Sequence, residues 1–405
     1  MASRGRPKGS KNKPKSEKLS SSTYSIKFEK QILGAPIMRQ NMSDGIINWG
    51  VRNDYPLRLD ELYIGSVTHK SCIDFAVNAI VGGGVEVDIE VPQPNYHTSW
   101  NEFIRAITFD YCLYGGFAFQ IIKNKDGKTY SFFNQPFETV RMEPMDEDGV
   151  IAYCQVSADW TSKQKYPPVR IPIFGFQEDE EIKQGQVYMF VYVSPNPISP
   201  YYPIPSYIAG IKAIQAEVEY QNYDLKSIMN GFVGAGSISL PPVGSEQQKQ
   251  AIINNIQSMF TGSDNANSLL VFFREDSEDT PVEFTPFSSN SGMVDLYEAA
   301  NERTVNRIIE SHKISSKGLI GLPIDNSGFS DSGALMQAAY DVYNTNVASS
   351  ARVVILSAIN NLFALNGVEV EISLKPLSYI TTSSVTGDFE PQDEEEVTER
   401  QDNTI

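Results

Sequence analysis

Three histidines (His69, His97 and His312) and three cysteines (Cys72, Cys112 and Cys154) are the residues on which metal or nucleophilic chemistry would depend. No histidine stands in an HxH, HExxH or HxE pattern, so neither a zinc site nor an imidazole base is indicated. The cysteines lie far apart with no ligand spacing, which predicts reduced, buried thiols. His312 falls near the end of a predicted helix, where an imidazolium would compensate the helix dipole. Gly127-Lys128-Thr129 has the ending of a phosphate loop, but it lacks that loop's earlier glycine and sits in a predicted hairpin. Gly82-Gly83-Gly84 follows a helix and precedes a strand, the reverse of a dinucleotide fingerprint. The acidic runs Asp146-Glu147-Asp148 and Glu178-Asp179-Glu180-Glu181 fall in turn-like polar stretches and are expected to be solvated. No catalytic residue, metal ligand or cofactor is indicated, so the chain is expected not to be an enzyme.

Charge is distributed more tellingly than its sum of −17 over 405 residues suggests. Arg4, Arg6, Lys8, Lys11, Lys13, Lys15 and Lys18 are opposed only by Glu17, whereas the tail from Asp388 to Asp402 is acidic. Both ends lack aromatic and β-branched runs and are predicted to be disordered in isolation. Arg4-Gly5-Arg6-Pro7, with Lys8 and Lys11 following, resembles an AT-hook. A thin, extended Arg-Gly-Arg suits a narrow A·T minor groove, where the negative potential is enhanced. An acidic body cannot neutralise phosphates generally. Any DNA would therefore meet the basic arm or slide past. No apolar run reaches the ~18 residues of a membrane span, and the N-terminus is basic and polar, so a soluble chain with no membrane partner is expected.

The elements between the two ends read as an α+β platform followed by a helical unit. Gly34, Pro36, Gly45, Gly50 and Pro56 leave 23–65 without a period. A helix is predicted over 66–81, then an apolar/acidic alternation over 85–91 predicts a half-buried strand. Ser99-Trp100-Asn101-Glu102 opens a capped helix that Gly115-Gly116 ends. A hairpin follows, with strands over 117–123 and 128–133 around Asp126-Gly127. Further strands are predicted over 139–143, 150–156, 169–174 and 187–193. The prolines from Pro195 to Pro205 form a stiff connector.

The stretch from Tyr201 to Leu365 organises the rest. A helix is predicted over 205–230, with Pro205 in its first turn and Ile208, Ile211, Val218, Leu225 and Ile228 as its apolar stripe. Asn230-Gly231, Gly234 and Gly236 mark a bend into a strand over 237–240. A capping box at Ser245-Glu246-Gln247-Gln248 opens a short helix with Ile252, Ile256, Met259 and Phe260 inward. Strands over 269–273 and 282–284 precede a second long helix over 293–314. Residues 315–328 read as loop, and one unbroken helix is predicted over 332–365. A terminal strand is predicted over 369–374.

This order of parts resembles the portal protein, or head–tail connector, of tailed bacteriophages. The segments that carry the resemblance are FIRAITFDYCLYGGFAFQIIKNKDG, EYQNYDLKSIMNGFVGAGSISL and ERTVNRIIESHKISSKGLIGLP. The segment SPYYPIPSY departs from that family, which usually shows a glycine just before the first long helix. The resemblance implies a basic arm (1–22), an α+β wing (23–203), stem helices (204–231 and 291–314) around a small α/β clip (232–290), and a channel loop (315–332). A crown helix with its strand (333–375) and an acidic tail (376–405) would complete the chain. It implies a dodecameric ring at one capsid vertex, through which double-stranded DNA is packaged and ejected. The implied partners are the terminase large subunit, a head–tail adaptor and the major capsid or scaffold protein, with the chain in the virion and, during assembly, in the host cytoplasm. Lys317, Asn326, Ser327 and Ser330 would lie on the channel loop, and Asn230, Gly231, Gly234 and Gly236 at the stem bend. A DNA-binding regulator working through the basic arm and a carboxylate-metal nuclease are the competing readings. The acidic body and the lack of a helix-turn-helix or a compact acidic cluster disfavour both.

Overall fold

The computed structural model describes residues 33–41, 44–86, 91–175, 182–229, 236–240, 245–260, 269–273, 283–286, 291–323, 329–368, 370, 372–375 and 377. Strands β1 (Arg39–Asn41) and β2 (Ile46–Asn48) pair antiparallel. Helix α1 (Tyr55–Gly65) follows, in a stretch whose sequence shows no period. Pro56 reads there as a breaker, yet it occupies the first turn of α1, where a missing N–H costs nothing. Helix α2 (Val67–Val81) is opened by Ser66, whose hydroxyl accepts from the His69 N–H, and is closed at Gly82 with φ +62°. Strand β3 is Val85–Glu86, the start of the predicted strand; residues 87–90 of that prediction lie outside the described residues.

Helix α3 (Trp100–Tyr114) has the predicted capping box. Ser99 Oγ accepts from the Glu102 N–H at 3.3 Å, and Glu102 Oε2 accepts from the Ser99 N–H at 2.8 Å. Gly115, left-handed at φ +88°, ends it. Strands β4 (Gly116–Lys123) and β5 (Tyr130–Gln135) form the predicted hairpin, with Asp126 Oδ1 accepting from the Lys128 and Thr129 N–H groups at the turn. Next come β6 (Val140–Met142), β7 (Tyr153–Val156), β8 (Val169–Pro172) and β9 (Val187–Val193). They form two antiparallel sheets with orders β6-β7-β8 and β5-β4-β9. Aromatic side chains fill the core: Trp49 stacks on Tyr202 at 4.6 Å, and Phe103 of α3 packs on Phe119 of β4 at 5.5 Å. Arg141 is buried among them, donating to the Asn53 side chain and to the Glu138 and Val140 carbonyls, between the Trp49 and Trp160 rings. Burial pulls its pKa down to about 10, so it remains a cation held by dipoles and π faces.

Helix α4 (Ile211–Met229) begins six residues later than predicted. Pro205 is not in its first turn; a single 3₁₀ turn, Ile208–Gly210, leads into it. The proline run keeps the preceding residues extended, so the helix forms only once the prolines are past. Of the expected stripe, Ile211 is in the core, Ile208 and Val218 are half-buried and Leu225 is 57% exposed, while the side chain of Ile228 lies outside the described residues; Ile214, not part of that stripe, is also in the core.

Then come β10 (Gly236–Leu240), α5 (Glu246–Phe260), β11 (Leu269–Phe273) and β12 (Glu283–Pro286), in the sheet order β11-β10-β12. Strands β10 and β11 are parallel, which requires a crossover, here supplied by α5. Ser245 Oγ accepts from the Gln248 N–H at 3.2 Å, the cap expected there. Among the described side chains of α5, Ile253 is buried and Ile252 half-buried, while those of Ile256, Met259 and Phe260 lie outside the described residues. Helix α6 (Ser291–Ser311) follows. The chain divides into two compact units, one of Glu219–Asn301 and the other of Leu33–Val218 with Glu302 onward.

The expected loop over 315–332 is shorter than predicted. Lys317–Ile320 form a 3₁₀ turn, and helix α7 (Phe329–Tyr343) already includes Ser330. The long helix is not uniform: a π segment, Asn344–Ala348, separates α7 from α8 (Ser349–Leu365). Strand β13 (Ser373–Leu374) pairs antiparallel with β3, a shorter version of the predicted terminal strand. Residues 335–365 are long and apolar enough, by length and composition, to cross a membrane, contrary to the expectation that no stretch would be. Tyr340, Tyr343, Ile355, Ile359, Leu362 and Phe363 of this helix lie in the core, with Phe363 against Trp100 at 4.7 Å. Its apolarity thus serves the platform. Arg352 on α8 donates to the Ala79 and Ile80 carbonyls, capping the C-terminus of α2 as a basic group there should.

Candidate functional site: the seat of the two long helices

The start of α4 and the end of α6 meet at the N-terminus of α2. Gly210 makes the closest approach: a Cβ built there would lie 2.5 Å from Ser311 Cβ. No side chain fits without separating the helices. Beside this crossing, His69 Nδ1 and His312 Nε2 are 2.9 Å apart, a hydrogen bond in which one ring donates. Tyr207 stacks on His312 at 4.9 Å and packs at a tilt against His69 at 4.5 Å, and its hydroxyl donates to the Leu113 carbonyl at 2.6 Å. Burial pulls the His312 pKa down to about 3; it also holds His69 well below the usual imidazole range, with the neighbouring His312 adding to the effect. Both rings are therefore neutral, and His312 does not carry the dipole-compensating charge expected of it. Desolvation in the packed seat outweighs the ~0.3–1 kcal/mol a helix terminus offers.

Glu217 supplies the second contact. Its buried carboxylate accepts from Ser66 Oγ, from Thr68 Oγ1 at 2.6 Å and from the Thr68 N–H at 3.3 Å. These are the first residues of α2, whose unpaired N–H groups favour negative charge. Val218 packs within 3.3 Å of where a Gly65 Cβ would sit, and Gln215 Oε1 accepts from the Leu33 N–H at 2.9 Å. The arrangement fixes the start of α4 and the end of α6 on the platform. It offers no acid–base relay, because the histidine rings bond to each other rather than to a nucleophile or carboxylate.

A cleft of about 900 Å³ lies between α1, α2 and α3. Asp60, Asp110 and Glu138 line it; Tyr114 Oη donates to Asp60, and Asp110 Oδ2 accepts from the Phe137 N–H at 3.1 Å. Burial pushes Asp60 up to about 7, Asp110 well above the usual carboxylate range, and Glu138 upward; the mutual proximity of these groups raises Asp60 and Asp110 further. Among the described residues no group of three histidine, cysteine, aspartate or glutamate side chains could hold a metal ion. Cys72 and Cys154 are buried, Cys112 is half-buried, and burial pushes all three thiols up to about 12, so they are poor nucleophiles at neutral pH.

The structure does not gather the residues singled out by the sequence into one place. Arg4, Gly5, Arg6, Pro7, Lys8, Lys11, Asn230, Gly231, Gly234, Asn326 and Ser327 lie outside the described residues. Gly236 opens β10, and Lys317 opens the 3₁₀ turn with an ion pair to Glu302 at 3.8 Å. Gly210, Glu217 and the His69–His312 pair were missed. Glu217 had a signal: a charge three residues after Ile214, on the buried stripe of α4.

No family model matches the chain, and no curated protein matches it in sequence. Solved structures do match. A chain in the virion of the native gene transfer agent (GTA) particle aligns at a TM-score of 0.51 and 15% identity, covering 85% of this chain and 86% of that one. A chain in the neck of the native GTA particle, computed with C12 symmetry, aligns at 0.52 and 15%, covering 85% and 90%. One in the neck of the empty particle, computed with C6 symmetry, aligns at 0.51 and 14%, covering 79% and 84%. Identity this low speaks to the fold, and coverage on both sides shows that it is the whole fold. The chain therefore shares the α+β fold of chains found in the neck and virion of the GTA particle.

Proposed function

We propose that the chain is a portal subunit, one of a ring of identical copies in the neck of a phage-type particle. The carrying observation is the near full-length match to neck chains in structures computed with six- and twelve-fold symmetry. The layout supports it: two long helices, α4 and α6, flank in sequence a small insert with parallel strands, and the start of the first packs with the end of the second on the platform. On this reading the helices are the stem, the insert is the clip that meets the terminase large subunit and later the head–tail adaptor, and α7–α8 is the crown. The ring would be a conduit for double-stranded DNA, localised to the capsid vertex. A conduit must not grip phosphates, since each neutralised phosphate strengthens binding and arrests sliding. The acidic body meets that need, and Lys317, the one lysine of the proposed channel segment, is already paired with Glu302.

Negative-stain imaging of the purified full chain is expected to show rings with a central hole. A chain that remains a single subunit at every concentration, with capsid and motor partners added, would refute the reading. The basic arm is proposed to take A·T-rich minor groove within the same particle. In fluorescence anisotropy a peptide of residues 1–18 should bind A·T-rich duplex more tightly than G·C-rich duplex; equal affinities would remove that role.

A further inference from the structure

We propose that the acidic cleft between α1, α2 and α3 binds residues 24–30 of a neighbouring copy of this chain. The inference rests on the ring reading, because it needs a neighbour. The cleft offers two kinds of surface. Its apolar part is built from Tyr63, Val77, Phe109 and Leu113, and its polar part is dominated by carboxyl groups, with Arg105 the lone cation among the described residues lining it. Asn134 Oδ1, also in the cleft, is buried and has no hydrogen-bond partner among the described residues. This oxygen is an acceptor to which an incoming N–H or ammonium group can donate.

The chain carries one segment of matching chemistry. Tyr24, Ile26 and Phe28 alternate with Ser25, Lys27 and Glu29, and Lys30 follows, so the segment carries two cations against one carboxylate. Such a pattern presents apolar groups to one side and a cation to the other in any extended stretch. Upstream lie the seven basic residues between Arg4 and Lys18. The described chain starts at Leu33, anchored to Gln215. At ~3.3 Å per residue, Tyr24 can stand ~30 Å from that anchor, enough to cross to an adjacent subunit.

Charge favours exchange between copies. With the arm set aside the body is more acidic than the net −17, so identical bodies side by side repel. Passing residues 24–30 to the next subunit places Lys27 and Lys30 between the bodies, and it makes a head-to-tail contact that a ring can close. Docking should also depend on pH. The groups that face the cleft are Asp60, with Glu61 nearby, on α1, Asp74 with its partner Lys70 on α2, Glu102, Arg105, Asp110 and Tyr114 on α3, and Glu138 with Arg141 behind it. Empty, the buried carboxyls hold protons; an incoming lysine favours their ionised form. Docking then releases protons and tightens as pH rises from 6 to 8.

Disulfide trapping in the full chain tests this. Ile64 is 78% exposed and lines the cleft, so Ile64→Cys should leave the fold intact. Combined with Lys27→Cys under mild oxidation, it should give a ladder of linked subunits on a non-reducing gel. A pairing of Lys27→Cys with Val169→Cys, a site 60% exposed on β8, is the control. The ladder should form at least ~10-fold faster than in the control, as a high effective concentration requires, with a ratio larger at pH 8 than at pH 6. Linkage within single chains, or at the control rate, overturns the proposal. If reduced double-variant rings are visible but no ladder forms, the docking is wrong and the ring reading stands. If the unmodified chain forms no ring, both fall.

Discussion

Gly210→Ala is expected to destabilise the protein by ~2–3 kcal/mol, the upper range for overpacking a site that cannot relax. The new Cβ would be 2.5 Å from Ser311 Cβ. Neither atom is the far end of a flexible side chain, so the helices themselves must separate. Separation also strains the neighbouring His69–His312 bond and the Tyr207 stack. Ser311→Gly alone should cost ~1 kcal/mol or less from helix propensity and loss of the hydroxyl bond to the Ile308 carbonyl. The double variant should recover at least half of the Gly210→Ala loss, because the colliding group is gone. Denaturant unfolding of all four proteins measures this as a coupling between the two sites. Simple additivity would show that the crossing does not depend on this contact. On the ring reading, Gly210→Ala should also lower the yield of closed rings, and the double variant should restore it.

A second large effect is a pH profile in which two buried groups of side chains oppose each other. Asp60, Asp110 and Glu138 have folded pKa values raised above their unfolded values, chiefly by burial. Their contribution is fully present below about pH 4 and is lost as pH rises through the folded values, about 7 for Asp60. His69 and His312 are shifted the other way, with folded values lowered by burial. Their contribution is present above the unfolded value of 6.5 and is lost as pH falls towards about 3. Between pH 4 and 6.5 the two partly cancel; between pH 6.5 and 8 the carboxyls act alone. The wild type should therefore gain stability on going from pH 8 to 6.5, on the order of 1–3 kcal/mol, and change little from there to pH 5. Asp60→Asn/Asp110→Asn keeps the oxygen acceptors for Tyr114 and the Phe137 N–H while removing the ionisable groups. It should flatten the alkaline limb and steepen the loss below pH 6. His69→Gln/His312→Gln should do the reverse on the acid side. Chemical denaturation at fixed pH values reads this out, and parallel profiles for all three proteins would rule out both assignments.

Much of the local structure was legible because its causes are local. The Ser99–Glu102 capping box, the Gly115 cap and the Asp126-Gly127 turn are each closed by hydrogen bonds spanning a few residues. The β4–β5 hairpin was read around that same turn, and a strand was predicted over 187–193, where β9 lies. Proline misled twice for one reason: its fixed φ opens a helix as readily as it blocks one. Which it does depends on the neighbours, so Pro56 began α1 while the run to Pro205 delayed α4.

The sequence by itself determined the α+β class, most of the helices and strands beyond residue 66, the acidic body and the basic arm, but not β1, β2 or α1. Only the tertiary structure decided where charge disappears. His69 and His312 are 243 residues apart in the chain, and nothing in either flank shows that they meet, lose their water and stay neutral. Glu217 is buried because α2 turns its first N–H and hydroxyl groups towards it, 149 and 151 residues away. Asp60, Asp110 and Glu138 form one cleft only after α1, α3 and the Phe137–Thr139 turn are packed together. Propensity and capping act over a few residues, whereas desolvation is a property of whatever the completed fold places nearby.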